Sequence, residues 1–186
     1  KKGFQGLETD LRISGDGHIV LCHDTNFSRL GGPKGEVWTL TRRELEEVNL
    51  RNNARILFFD EFVQTYLSSH WIFDIKPETA EKVIPKLVAW LSKQPKDLLR
   101  EKIAFLFWKK AHEDQMRKHF PNANYFARED ECKKAGLAII SRMTFLANIV
   151  PGKCYAIPPT FFGINLYRKK FVDFFHKNNA YVIAYL

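Results

Sequence analysis

Three short segments carry residue types from which phosphate chemistry is built: Glu8-Thr9-Asp10, His23-Asp24 and Asp74-Ile75-Lys76. Each sits at the carboxyl end of an apolar run that reads as a β-strand. Strands of a parallel barrel all end on one face, so acids, a histidine and a lysine placed there would surround a single phosphate. The chemistry open to such a set is metal-assisted cleavage of a phosphodiester. Leu7, Thr9, Leu11 and Ile13 alternate with Glu8, Asp10, Arg12 and Ser14, the period-two pattern of a strand with two unlike faces. Glu8 and Asp10 therefore project from the same face, as two ligands of one cation must. Ser14-Gly15-Asp16-Gly17 is a turn, and residues 18–22 form a second strand. Its hairpin-like spacing brings His23 back toward Glu8 and Asp10.

The elements that must hold these residues follow from the rest of the chain. The glycine-rich stretch 30–36 is a loop, and Thr41-Arg42-Arg43-Glu44 matches a capping box opening a short helix through Val48. Residues 60–68 form a second helix, and Trp71-Ile72-Phe73 is a strand leading to Asp74-Ile75-Lys76 before Pro77. Val83, Ile84, Leu87, Val88 and Leu91 recur at helical spacing and should cover the sheet. An apolar strand over 103–108, a polar helix near 111–119 and a strand near 125–127 continue the alternation. Residues 129–135 read as a short helix stopped by Gly136, residues 167–177 as an amphipathic helix, and residues 181–186 as a closing β segment. Strands alternating with helices argue for a parallel sheet, and the lack of a Gly-rich nucleotide loop favours a barrel over an open sheet.

A chain of 186 residues, 45% hydrophobic and 14% aromatic, can bury a core and is most simply one domain. Charged or amide residues interrupt every hydrophobic stretch short of the ~18 residues a membrane span needs. Cys22, Cys132 and Cys154 lack the paired spacing of zinc sites or disulfide frameworks, so they read as free thiols, with Cys22 buried in its strand. Free thiols fit a reducing compartment, and a cytoplasmic location is expected. The net charge of +8 is spread over helix-like segments with no nucleic-acid motif, which argues against a nucleic-acid partner. It is compatible with anionic substrates and with peripheral membrane contact.

These motifs resemble the glycerophosphodiester phosphodiesterase family, which folds as an α/β TIM barrel. The family's Glu-x-Asp and following turn are similar to Glu8-Thr9-Asp10 and Gly15-Asp16-Gly17. Its His-Asp, Leu-x-Arg and Gly-rich stretch match His23-Asp24, Phe27-Ser28-Arg29 and Gly31-Gly32-Pro33-Lys34-Gly35. A helix entry matches Phe59-Asp60-Glu61-Phe62, and the family's Glu-x-Lys on strand four appears as Asp74-Ile75-Lys76. The resemblance is densest over residues 6–78. Two departures stand out. Asp74 replaces a longer Glu, so it would have to reach farther or bind through water. The family's first strand, ending His-Arg-Gly with one of two catalytic histidines, has no counterpart in this chain, and residues 182–185 read as the seventh strand with nothing following for an eighth. The expectation is a partial (β/α)8 barrel without its first and last strand units, forming one domain over 1–186.

The resemblance implies roles. Glu8, Asp10 and Asp74 would bind a divalent cation, Mg²⁺ or Ca²⁺, through hard oxygen ligands. Lys76 would add a fixed charge beside the phosphate, serving both catalysis and substrate binding. His23 would act as general acid or base, donating to the leaving alkoxide or activating the attacking hydroxyl. Asp24 either orients His23 or caps the next turn. Arg29 is a candidate substrate contact or a bridge within its loop. Taken singly, Glu8 and Asp10 are ordinary surface charges and His23 a hydrogen-bonded strand-end residue. Together, in this order at successive strand ends, they favour catalysis mainly through the match to the family. The remaining histidines, His18, His70, His112, His119 and His176, read as exposed. The implied substrate is a small glycerophosphodiester or, with an apolar cleft near Phe161 and Phe162, a lysophospholipid. A third reading is a headgroup-binding module without catalysis.

Overall fold

The computed structural model describes residues 6–184. Alternating burial shapes its first strand, β1 (Gly6–Ile13), in which Leu11 and Ile13 enter the core while Glu8 stays exposed. A tight turn follows, closed by Ser14 N–H to the His18 carbonyl at 2.8 Å and Gly17 N–H to the Ser14 carbonyl at 3.0 Å. Gly17 occupies it at φ 87°, a left-handed conformation that costs a glycine nothing. The chain then forms β2 (Ile19–Leu21), α1 (Arg42–Glu46), β3 (Leu57–Phe58), α2 (Phe59–Thr65), β4 (His70–Ile75), α3 (Ala80–Leu91), α4 (Lys96–Lys102) and β5 (Ile103–Phe107). It continues through α5 (Lys110–Arg117), β6 (Asn124–Tyr125), α6 (Glu129–Ile140), β7 (Cys154–Ile157), a hairpin of β8 (Thr160–Phe161) and β9 (Ile164–Asn165), α7 (Lys169–Lys177) and β10 (Tyr181–Ala184).

β1, β4, β5 and β6 pair in parallel in that order, a parallel bridge from Phe126 to Cys154 passes the succession to β7, and β7 pairs in parallel with β10. Parallel strands joined through helices in chain order make this an α/β fold of TIM-barrel type. β1 and β10 form no ladder with each other among the described residues. β10 is described over Tyr181–Ala184, and the expected continuation through Tyr185 and Leu186 lies outside the described residues.

The main core packs Leu11, Phe73, Ile75, Phe105 and Phe107 from the sheet against Val83, Ile84 and Leu87 of α3, the helix face that the spacing predicts. A second cluster joins Ala135 and Ile139 of α6 and Phe171 and Phe175 of α7 to Tyr155 and Ile157 of β7. The capping box at α1 forms as expected: Thr41 Oγ1 accepts from Glu44 N–H, and the Glu44 carboxylate accepts from Thr41 N–H at 2.7 Å.

Several expectations are corrected. The hairpin spacing holds, with β2 antiparallel to β1, pairing Leu11 with Leu21 and Ile13 with Ile19, and β3 adds antiparallel to β2, but this overturns the placement of His23 among parallel strand ends. His23 therefore does not end a parallel barrel strand. It ends a return strand folded beside the carboxyl half of β1, over a small core of Val20, Phe27, Val37, Leu45 and Phe58. α6 runs through Gly136 to Ile140, because Ala138 and Ile139 beyond the expected stop are buried, outweighing a glycine penalty of about 1 kcal/mol. His112 is buried on α5, where a period of 3.6 turns it inward. β7, α4 and the β8–β9 hairpin are additional elements. Cys22 is buried as expected, and all three cysteines are free thiols.

Candidate active site

The parallel register of β1 with β4 sets Asp10 directly opposite Asp74 and Thr9 opposite Phe73. Because side chains alternate along a strand, Glu8 and Asp10 share one face, and Asp74 on the next strand joins them. One carboxylate oxygen from each of Glu8, Asp10 and Asp74 lies within 4.8 Å of the others. Asp74 thus reaches the other two acids despite its short stem. Lys76 lies just past β4, held there by its backbone N–H to the Leu11 carbonyl at 3.2 Å. Its Nζ sits 2.7 Å from Asp10 Oδ1 and 2.8 Å from Asp74 Oδ2, and the residue is buried.

The electrostatics follow from this crowding. Burial, then the neighbouring Asp10 and Asp74 charges, push the Glu8 carboxyl up to about 7, against the opposing pull of Lys76 and His23. Glu8 keeps part of its surface exposed, while its carboxyl lies desolvated against the protein beneath it and faces the Asp10 and Asp74 charges. Burial raises Asp74 as well, even though Lys76 and Trp108 both donate to it. For Lys76, burial works against the charge but the bonds to Asp10 and Asp74 outweigh it, so its ammonium is held more firmly protonated than usual. A site of hard oxygen donors with crowded negative charge is one that a divalent cation would relieve, so Glu8, Asp10 and Asp74 could hold such a cation.

His23 is brought to this face by the return strand: Cys22 N–H donates to the Asp10 carbonyl at 3.0 Å, tying the end of β2 to β1 at Asp10. Its Nδ1 is 2.7 Å from Asp24 Oδ1, and Arg29 Nε donates to Asp24 Oδ2 at 2.6 Å. Hydrogen bonds from Arg29 and then His23 hold the Asp24 carboxyl down at about 2. Of the two readings of Asp24, the orienting one has this direct contact. Arg29 bridges its own loop, with its side chain largely exposed and outside the cavity that the acids line.

Two residues not singled out in the sequence complete the arrangement. Arg12 shares the parity of Glu8 and Asp10 yet is buried. It donates to the His23 carbonyl from Nη2 at 2.9 Å and from Nε at 3.3 Å, and to Glu78 from Nη1 at 2.9 Å. Trp108, which reads as the last apolar residue of the fifth strand, instead turns its indole N–H to Asp74 Oδ1 at 2.7 Å. The signal for it was position alone, since it follows an apolar run as His23 and Asp74 do. Strand alternation tells which face a side chain takes but not how deeply it is covered, so it leaves the burial of Arg12 undetermined.

Glu8, Asp10, His23, Asp74, Lys76 and Trp108 line one cavity of about 580 Å³, whose other walls are mostly apolar and include Leu106, Phe126, Ile157, Phe161 and Phe171, with Glu129 and Lys133 among them. A concave, mostly apolar site with a few convergent polar groups is the usual form of a small-molecule site.

Solved structures share this fold. An Oleispira antarctica phosphodiesterase in complex with the product sn-glycerol-3-phosphate superposes with a TM-score of 0.71 at 19% identity, covering 99% of this chain and 73% of that one. The glycerophosphoryl diester phosphodiesterase domain of a Mycobacterium tuberculosis protein gives a TM-score of 0.71 at 13% identity, covering 98% of this chain and 77% of its own. A glycerophosphodiester phosphodiesterase from Thermotoga maritima gives 0.63 at 19% identity, covering 99% and 74%. In sequence, a Mycobacterium tuberculosis protein described as "Probable glycerophosphodiester phosphodiesterase 1" is 40% identical over 48 residues, which is 26% of this chain and only 18% of that relative's length. The family model described as "Glycerophosphoryl diester phosphodiesterase family" matches residues 1–186. With that match running the length of the chain and the same fold in these solved structures, the chain belongs to the glycerophosphoryl diester phosphodiesterase family.

Proposed function

We propose that the chain hydrolyses glycerophosphodiesters to an alcohol and glycerol 3-phosphate, with Glu8, Asp10 and Asp74 holding a divalent cation, Mg²⁺ or Ca²⁺. The observation that carries this reading is the meeting of three carboxylates, Lys76 and His23 on the wall of one cavity. Bound there, the cation would polarise a phosphoryl oxygen and offset the charge that builds on phosphorus, an effect worth several kcal/mol. Lys76, fixed between Asp10 and Asp74, keeps a positive charge beside the phosphate and holds the two acids in register. His23 exchanges a proton with the attacking or departing oxygen. Ionised Asp24 accepts from Nδ1, so Nε2 is the nitrogen left for that exchange. Water adds to phosphorus, the ester P–O bond breaks, and the proton lost by water balances the one gained by the alcohol. Arg29 serves this site by fixing Asp24.

A second reading rests on the apolar walls of the cavity, which exceed what a glycerol and a phosphate require. Phe161 and Phe171 fit an acyl chain, which favours lysophospholipids cleaved in the manner of a lysophospholipase D. Phe162, at the hairpin tip, is exposed and suits contact with a lipid surface. The test is release of glycerol 3-phosphate from glycerophosphocholine, and of lysophosphatidic acid from lysophosphatidylcholine, with Mg²⁺ or Ca²⁺ and with EDTA. Cation-dependent release from the first substrate supports the leading reading, and release from the second alone favours the lipid one. No release from either by a folded protein would leave headgroup binding without catalysis.

A further inference from the structure

We infer that Trp108 is a positioning residue for the cation-binding set, fixing the Asp74 carboxylate beside Glu8 and Asp10 through its indole N–H. The inference rests on the cation site proposed above. Trp108 follows β5, where Phe107 is in register with Ile75, so it stands level with Lys76 just past the neighbouring β4. From there its Nε1 reaches Asp74 Oδ1 at 2.7 Å while Lys76 Nζ takes Asp74 Oδ2 at 2.8 Å. A carboxylate with a separate donor on each oxygen cannot rotate about its terminal bond without breaking one of them. That matters more for an aspartate, whose single methylene leaves little latitude for correcting a misplaced head, than for the glutamate that the family motif places here.

The indole has one donor, and this geometry commits it to a carboxylate that is itself buried. Bonds to an ionised acceptor are shorter and stronger than neutral ones, and 2.7 Å is in that range. The ring also faces the Lys76 ammonium, with Nζ 5.3 Å from its centroid, and lines the cavity with 40% of its surface still exposed. Two roles therefore compete. In one, the N–H orients Asp74. In the other, the ring merely walls the cavity and backs Lys76. Trp108→Phe separates them, since it keeps a ring and removes the donor. Trp108→Ala removes both.

The experiment is calorimetric titration of the whole chain with Mg²⁺ and with Ca²⁺ alone, without substrate, together with tryptophan fluorescence and thermal denaturation of each variant. Groups that orient metal ligands typically contribute about 10- to 100-fold in metal affinity, so Trp108→Phe should weaken cation binding at least about tenfold with the fold intact. Trp108→Ala should weaken it no less. The wild type should show a fluorescence change on cation binding that Trp108→Phe lacks, because only this indole is bonded to a ligand carboxylate among the described residues. Wild-type binding matched by Trp108→Phe, with loss only in Trp108→Ala, would overturn the orienting role and leave the ring as a wall. A wild type that binds neither cation would overturn the cation site and this inference together.

Discussion

Replacing Lys76 with Met tests the electrostatic balance of the site and separates what the lysine contributes to folding from what a cation contributes. Methionine has nearly the same length and volume, so packing under Trp108 is kept and the charge alone is lost. Lys76 Nζ is bonded to both Asp10 and Asp74, whose side chains are 18% and 9% exposed. Removing one partner of a buried ion pair costs about 3–5 kcal/mol, and the access of water to Asp10 puts this case near the lower end, about 3 kcal/mol. For a domain of this size 1 kcal/mol moves Tm by about 2–4 °C, so Lys76→Met should melt about 6–12 °C below the wild type in EDTA at neutral pH. Two conditions should narrow that gap. A divalent cation takes over the lost countercharge and binds the variant more tightly, and acidification neutralises the acids left unpaired. The assay is thermal denaturation followed by circular dichroism, with EDTA or Mg²⁺, at neutral and mildly acidic pH. Equal melting temperatures in EDTA, or a gap that Mg²⁺ widens, would refute the reasoning.

Three further outcomes follow from the geometry. Glu8 is raised from 4.5 to about 7 in the fold, so its ionisation opposes folding: the stability of the cation-free protein should fall as pH rises from about 4.5 through 7, and Glu8→Gln should flatten that slope in urea titrations. A wild-type slope that Glu8→Gln leaves unchanged would remove Glu8 as its source. Arg12→Met leaves the His23 carbonyl without its guanidinium donors while Glu78, which is half exposed, regains water. The expected loss is about 2–3 kcal/mol of stability, with kcat reduced beyond any change in KM, and a variant with wild-type kcat would show that Arg12 does not act through His23. Asp24→Asn should lower kcat about tenfold, a part of the general acid–base contribution, because it leaves the His23 ring without its ionised acceptor. Unchanged kcat in steady-state assays would take Asp24 out of the mechanism.

What the sequence discloses about this fold tracks how local the determining physics is. Alternation places Glu8 and Asp10 on one face of β1, and the 3.6-residue spacing of Val83, Ile84, Leu87 and Leu91 marks the buried side of α3, because both patterns depend only on near neighbours. The capping box at Thr41 and Glu44 is equally local. Direction of strand pairing is not. The four residues between Ile13 and His18 suit a hairpin, and β2 does turn back, but whether its end then opens onto the barrel face depends on pairing with β1 and β3. Gly136 shows the opposite case, a local stop signal overridden by burial of Ile139 in the core shared with β7. The acids and His23 were legible as a set because the motif orders them along the chain. Arg12 and Trp108 were not, since each acts across a strand boundary, one through a backbone carbonyl and the other through a neighbouring strand's carboxylate.

The proposed mechanism divides labour between carboxylates that hold a cation and a histidine that moves a proton, and one set of curves tests that division. Hydrolysis of glycerophosphocholine would be followed against Mg²⁺ or Ca²⁺ concentration for the wild type, Asp10→Asn and His23→Ala. The predicted result is an activation curve whose midpoint shifts to higher cation concentration in Asp10→Asn, and whose plateau falls by about 10²–10⁴ in His23→Ala with the midpoint unmoved. Activity that is indifferent to the cation, or a His23→Ala plateau equal to that of the wild type, would contradict it.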